Sequence, residues 1–404
     1  MSEDTYKTKK SLKDSELVRL LRSNISEYFM FIALIAIMIF FSITTDGIFI
    51  SSRNISNLLN QMGYIAVLAV GMTLVIVIRH IDLSVGYLAG FLGAFTAIAL
   101  TFWGFPVVGV IPIVLILGVL SGLLTATPIA KLGVPAFVST ISAGLIFRGA
   151  LLLVTMGTGT IIIKQKSFNA IGNGFIPDLP DFGFLDNNHK ITLLLGAVGI
   201  VLYIISAINS RKKKISYNFE VTSPQLFIAQ LVLVSAIIAY IAWVLSGYNG
   251  LSWSLVVVLI VVAVFQFIMT KTPLGRHVYA VGGNPEAAEL SGISVSRITY
   301  IVFGAMGLLS ALSGILYASR LQSATTTAGL GFETDAIAAA FVGGVSAAGG
   351  VGKITGSIVG ALVMMSLTSG MNLMGIDISI QYIVRGAVLV IAVIVDMATR
   401  KARR

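Results

Sequence analysis

LSWSLVVVLIVVAVFQFIMT, residues 251–270, runs for twenty positions without a charged side chain or a proline. An α-helix needs about 20 apolar residues to cross the hydrocarbon core of a bilayer, and this stretch meets that length unaided. Eleven others come close: 28–45, 58–78, 85–104, 107–127, 136–156, 191–208, 225–247, 298–319, 334–350, 354–372 and 379–397. The whole 404-residue chain is 56% hydrophobic and only 11% charged, with a mean hydropathy of +0.96. A water-soluble core has no room for that much apolar surface. The fold expected is an all-α polytopic membrane protein with about 12 transmembrane helices.

Charge placement orients it. With the N-terminus inside, 20 of the 27 Lys and Arg fall on inner segments, and 5 (Arg53, Lys164, Lys166, Lys190, Arg320) on outer ones. Arg148 and Arg385 lie within spans. Cytoplasmic loops are enriched in Lys and Arg, so both termini are expected in the cytoplasm. The net charge of +10 then reflects topology, and no nucleic-acid partner is expected. Residues 1–27 read as a polar cytoplasmic segment, 28–397 as the transmembrane domain and 398–404 as a basic cytoplasmic tail. The apolar run after residue 27 carries no small-x-small cleavage site, so the first span is expected to remain as an anchor.

Several chemistries drop out. The chain has no Cys, and His80, His189 and His277 have no ligand spacing, so neither a metal nor a redox cofactor is expected. Gly350-Val351-Gly352-Lys353-Ile354 fails as a phosphate loop, because Ile354 replaces the required Ser or Thr and Ala347 the first Gly. No Ser-His-Asp, paired-carboxylate or HExxH arrangement stands out. Uphill transport would need a separate ATPase or an ion, and the spans offer almost no buried acid to bind one.

Two connections exceed a turn. The outer one, 157–190, is rich in Gly, Pro, Asp and Asn and reads as an irregular cap facing water. The inner one, 271–297, contains TPLGRHVYAVGGNPEAAELSGI at 272–293. There Gly282-Gly283 make a turn, Asn284 an N-cap, Pro285 the first helical position, Glu286 a first-turn acid and Gly292 a stop. A helix of about two turns is marginal alone, so its Ala287, Ala288 and Leu290 face is expected to dock, either on its own transmembrane ends or in a partner's groove.

The two halves echo one another. Ser84-Val85-Gly86-x-x-x-Gly90-x-x-Gly93 resembles Gly350-Val351-Gly352-x-x-x-Gly356-x-x-x-Gly360, and Arg-Gly-Ala recurs at 148–150 and 385–387. Gly86, Gly90, Gly352, Gly356 and Gly360 read as close helix packing, with a repeat interface for a solute as the further possibility. Asp82 reads as an inner-rim charge, a cap for the helix after Ser84, or a gating contact. Arg148 and Arg385 fall about 12 and 9 Å from the outer ends of their helices. They read as structural pairs, with Glu333, Asp335 or Asp377 as partners, or as the polar wall of a pathway.

The stretches at 71–86 (GMTLVIVIRHIDLSVG), 134–151, 274–293, 335–362 and 381–396 together resemble permease subunits of bacterial ABC sugar importers, in the ribose/galactose/xylose branch. Length and the two extra spans around the Arg211–Lys214 loop are most similar to xylose-type permeases. The chain departs from that pattern at Arg79 and His80, ahead of Ile81-Asp82-Leu83-Ser84. The resemblance implies a multi-pass protein of the bacterial inner membrane that carries no ATPase of its own. It also implies a second copy of itself, a cytoplasmic ATP-binding subunit, an extracytoplasmic sugar-binding protein and a monosaccharide, xylose first. The ATPase-docking surface it implies is Asn284, Pro285, Glu286, Ala287, Ala288, Glu289, Leu290 and Gly292. Two rivals stand beside it: a secondary carrier or facilitator working alone, and a membrane enzyme acting on lipid-linked sugar with Asp82 as its acid or base.

Overall fold

A computed structural model of the chain describes residues 25–180, 183, 188–219, 221 and 223–401. Most of the N-terminal segment, part of the outer connection and the last three residues of the basic tail lie outside the described residues. The rest folds into fifteen α-helices and a two-stranded ribbon. Nine of the described helices are long and apolar enough to cross a membrane. They are α2 (Ser52–Val77), α4 (Val107–Leu132), α5 (Ala136–Thr155), α7 (Lys190–Ser216), α8 (Pro224–Ser246), α9 (Trp253–Lys271), α12 (Val295–Leu321), α14 (Ile354–Leu373) and α15 (Ile378–Lys401). Helices α1 (Ile25–Thr44) and α3 (Val85–Thr101) are apolar but shorter in their spanning parts.

The core is built on α2 and α12. Of the apolar window of α2, 89% is buried inside the protein. Its neighbours meet it through small residues: Gly71 lies against Met306 and Leu309, and Gly63 against Ser254. In lipid, helices associate by van der Waals packing and hydrogen bonds rather than by hydrophobic expulsion, so small residues that admit a neighbouring backbone are favoured at contacts. Gly118 and Gly122 of α4 do the same against Gly307 and Phe303 of α12.

The stretch at 334–350 differs from a continuous span. Helix α13 covers Phe332–Val342 only, 11 residues, which rise about 16 Å, half of a bilayer core. Gly344, Gly349 and Gly350 then take positive φ values of 85°, 79° and 71°, a region in which only glycine is comfortable. The chain therefore turns through 343–353 before α14 begins.

The outer connection is also more regular than its composition suggests. Ile161–Ile162 (β1) pairs antiparallel with Ser323–Ala324 (β2), and α6 (Lys166–Asn173) buries Phe168. Phe168 and Ile171 are spaced three apart, a helical period that the surrounding Gly, Pro and Asn obscure.

Candidate functional site

Two half-helices meet inside the bundle. Helix α12, 27 residues long, spans about 40 Å and serves as a ruler. Ala89 and Gly93 of α3 lie against Gly314, which places the start of α3 near the middle of α12. Gly86 at that start packs on Gly329 and Glu333, and Gly90 on the carbonyl of Ala328, so α13 begins at the same level. From this shared point α13 runs toward the Val295 end of α12 and α3 runs the other way. Each helix N-terminus leaves unpaired N–H groups and a partial positive charge. The acids accumulate there: Glu333 and Asp335 in the first turn of α13, and Asp82 just ahead of α3.

Asp82 is 3% exposed. Its Oδ1 accepts from the Ser84 N–H at 2.9 Å and the Ser84 hydroxyl at 2.6 Å, which closes a turn leading into α3. Arg385 donates from Nη1 to Asp335 Oδ2 at 3.3 Å, with both side chains largely buried. Arg148 stands over the ring of Tyr87, 5.0 Å from its centroid. Asp377 instead lies in the turn before α15, where the Ser379 hydroxyl and amide hold its carboxyl below the usual range. Asp82, read from sequence as an inner-rim charge, cap or gating contact, and Glu333 and Asp335, read as partners for the span arginines, thus lie inside the bundle, where almost no buried acid was expected. The segment 322–331 dips inward to start α13 at mid-level, a path that apolar periodicity does not mark.

Beside the acids, Tyr64 of α2, Tyr317 of α12 and Phe332 of α13 form an aromatic cluster with ring centroids 4.9 to 5.1 Å apart. Glu333 Oε2 and Arg385 Nε are buried without a hydrogen-bond partner among the described residues. Aromatic faces with a few unmatched donors and acceptors suit a neutral hydroxylated solute. Sequence reading missed Tyr64, Tyr317 and Phe332, because residues so far apart in the chain carry no shared spacing.

The second candidate region lies at the Val295 end of α12. Helix α10 (Pro273–Gly283) precedes α11 (Pro285–Leu290), whose N-cap Asn284 accepts from the Ala287 N–H at 3.1 Å. Gly292 closes it with φ 83°. Ala288 is buried against the bundle while Glu286, Ala287 and Glu289 are exposed, and Leu290 is 91% exposed. The face expected to dock is therefore divided: Ala288 packs inward and Leu290 faces outward. Helix α10 extends back from the expected Gly282-Gly283 turn to Pro273.

Helix α10 ties together the breaks at 78–84 and 343–353. Arg79, itself at φ 68°, donates from Nε to Gly282 O at 2.7 Å and also bonds Gly283 O. These are carbonyls at a helix C-terminus, where a cation is favoured, so the departure at Arg79 has a structural role. Tyr279 donates its hydroxyl to Gly352 O at 2.6 Å, and burial raises that phenol's pKa. Gly350 N–H bonds Val77 O at 2.8 Å. Gly352 meets Val77 and Val345, while Gly356 and Gly360 abut the carbonyls of Gly343 and Ala339.

At the opposite end, Asp178 receives the Lys190 and Ile191 N–H groups of the α7 N-terminus, each at 3.0 Å. Burial alone would raise its carboxyl, but those amides, that of Leu179 and nearby His189 hold it below the ordinary value.

Residues 54–393 match the family model described as branched-chain amino acid transport system / permease component. The chain is 37% identical over 378 residues to the xylose transport system permease protein XylH of Haemophilus influenzae, covering 94% of this chain and 98% of that protein. The Escherichia coli K12 protein of the same name is also 37% identical over 378 residues, covering 94% of this chain and 93% of that one. The ribose import permease protein RbsC of Haemophilus influenzae is 34% identical over 376 residues, or 92% and 94%. No solved structure matches the chain.

Proposed function

Since this chain belongs to the branched-chain amino acid transport system / permease component family, we propose that it moves a monosaccharide, xylose first, through a homodimeric pathway powered from the cytoplasm. It is a multi-pass permease subunit of an inner-membrane ABC sugar importer, and hydrolysis of ATP belongs to a separate subunit. Xylose rests on the xylose permeases it resembles over 94% of its length. In this reading the termini lie inside, the chain makes twelve crossings if α1, α3 and the α13 hairpin are counted, and α11 faces the cytoplasm.

The observation that carries the proposal is α11 itself, a six-residue helix pinned by one buried alanine and presenting Leu290 almost wholly to solvent. An exposed leucine flanked by Glu286 and Glu289 fits a knob for a groove on the ATPase. Closure of the ATPase dimer draws on α11. Through Arg79 and Tyr279, α10 passes that displacement to the breaks at 78–84 and 343–353, which aim α3 and α13. A bistable packing biased at one end is how such transitions are driven.

The solute passes the half-helix crossing. Broken helices whose N-termini meet at mid-depth are a recurrent transporter site, and polar groups left unmatched there are costly unless used. Arg148 and Arg385 act as pathway walls and Asp82 as the post on which α3 turns. The connection 157–190 and the adjoining strand Ser323–Ala324, joined by the β1–β2 ribbon, receive the sugar-binding protein, while the rest of 320–335, expected as an outer loop, turns into the bundle. Replacing Glu286 through Leu290 with Gly-Ser is expected to abolish co-purification of the ATPase and sugar uptake together. Uptake and co-purification at wild-type levels would defeat the knob.

A further inference from the structure

The C-terminal turns of α7 carry a polar face on an otherwise lipid-facing helix. Only 6% of the apolar window of α7 is buried inside the protein. Its residues Val201, Leu202, Ile205 and Ile208 are exposed, as expected of a surface bathed in acyl chains. Beyond them Asn209, Ser210, Lys213, Lys214 and Tyr217 recur at helical spacing and line one side of a cleft of about 380 Å³. Lys271, the last residue of α9, closes the other side.

Three ammonium groups thus converge on one cleft with hydroxyl and amide groups beside them. Neither Lys213, Lys214 nor Lys271 has a carboxylate within salt-bridge distance among the described residues. Arg211 is set apart, stacked over Phe227 at 4.6 Å. Like charges gathered without a counter-ion repel one another, and an anion in the cleft would relieve that repulsion. Lys271 sits two residues before α10, so the cleft opens at the same end of the bundle as α11. Its polar residues begin where the exposed apolar run of α7 ends at Ile208, the point at which a spanning helix would leave the hydrocarbon core.

We propose that this cleft binds the phosphodiester headgroup of an anionic phospholipid, whose acyl chains lie along the apolar flank of α7. The exposed Leu202 and Ile205 favour a lipid over a free anion, because they continue the cleft with an apolar track. Basic clefts between transmembrane helices at the cytoplasmic face hold anionic headgroups in this way. The site needs only that this end of α7 meets a membrane interface, so it stands or falls separately from the sugar or the ATPase.

The test uses the full chain purified in neutral detergent, with melting temperature and native mass spectrometry read against added lipid. Phosphatidylglycerol is expected to raise the melting temperature and give retained adducts, while phosphatidylcholine and inorganic phosphate do neither. Lys213→Gln, Lys214→Gln and Lys271→Gln are expected to weaken phosphatidylglycerol binding by about fivefold each, and the matching Lys→Arg variants to preserve it. Lys164→Gln with Lys166→Gln, on the outer connection, serves as the control that leaves binding unchanged. An equal shift with inorganic phosphate would overturn the lipid reading in favour of a soluble anion. So would full phosphatidylglycerol binding by a folded triple Gln variant, or a triple variant that loses only the ATPase.

Discussion

Helices α2 and α7 are almost the same length, 26 and 27 residues, and both are apolar enough to span a bilayer. Yet 89% of the apolar window of α2 is buried in protein and 6% of that of α7. The buried helix is the more polar of the two: α2 carries Asn54, Asn60, Gln61, Gly63, Tyr64, Gly71 and Thr73, whereas 191–208 of α7 is mostly Ile, Leu, Val and Ala. This inverts the rule for soluble proteins. Lipid is as apolar as leucine, so hydrophobicity is needed on the outside, while the inside is assembled by close approach and hydrogen bonds such as Thr73 Oγ1 to Ser357 Oγ.

The sharpest way to break this contrast is to add bulk inside. Gly90→Leu would drive a side chain into the Ala328 carbonyl, and is expected to cost more than about 3 kcal/mol, beyond ordinary overpacking. A near-native melting temperature in detergent would show that the half-helix crossing is looser than described. Next, Asp335→Ala strands the Arg385 guanidinium and should cost about 3 to 5 kcal/mol. Asp335→Leu with Arg385→Leu should recover most of it, and a double-mutant cycle on melting reads the difference.

Smaller effects are expected at the inner links. Arg79→Gln and Tyr279→Phe should each lower stability by about 1 to 2 kcal/mol. Sugar uptake per ATP hydrolysed in proteoliposomes should fall further than the melt does; proportional losses would mean that α10 holds the fold but transmits nothing. On α7, Val201→Ala or Ile205→Ala should stay within about 0.5 kcal/mol. A larger loss would place that surface against protein.

The smallest effect is at Asp178, which holds the N-terminus of α7. Because the folded carboxyl of Asp178 lies below its ordinary value, its stabilisation is present above the unfolded pKa and fades as pH falls through the folded one. Wild type and Asp178→Asn should therefore differ at neutral pH and converge in acid, as read by melts across pH.

Parts of this molecule were legible in the chain. Asn284-Pro285-Glu286 and Gly292 are start and stop signals that act through their own backbone, so α11 was readable residue by residue. Long uninterrupted runs such as 251–270 marked spans for the same reason. The depth of α13 was not readable: its apolar residues run on from Ala336 to Val342, and only packing against Gly86 and Gly90 places its start halfway along α12. The partners of Arg385 were narrowed to three acids, and proximity across the bundle selected Asp335.

By itself the sequence determined that the chain lives in lipid and where a short helix interrupts the connection between α9 and α12. Hydrophobic length and capping are local properties, summed along the backbone. Tertiary structure alone decided that Tyr64, Tyr317 and Phe332 share one cluster, that two half-helices point their N-termini at each other, and that α10 grips both breaks. Those facts depend on which helix surfaces approach closely enough for a carbonyl to replace a side chain. In a membrane that choice is made by small-residue packing between distant segments, which leaves no periodic trace in any one of them.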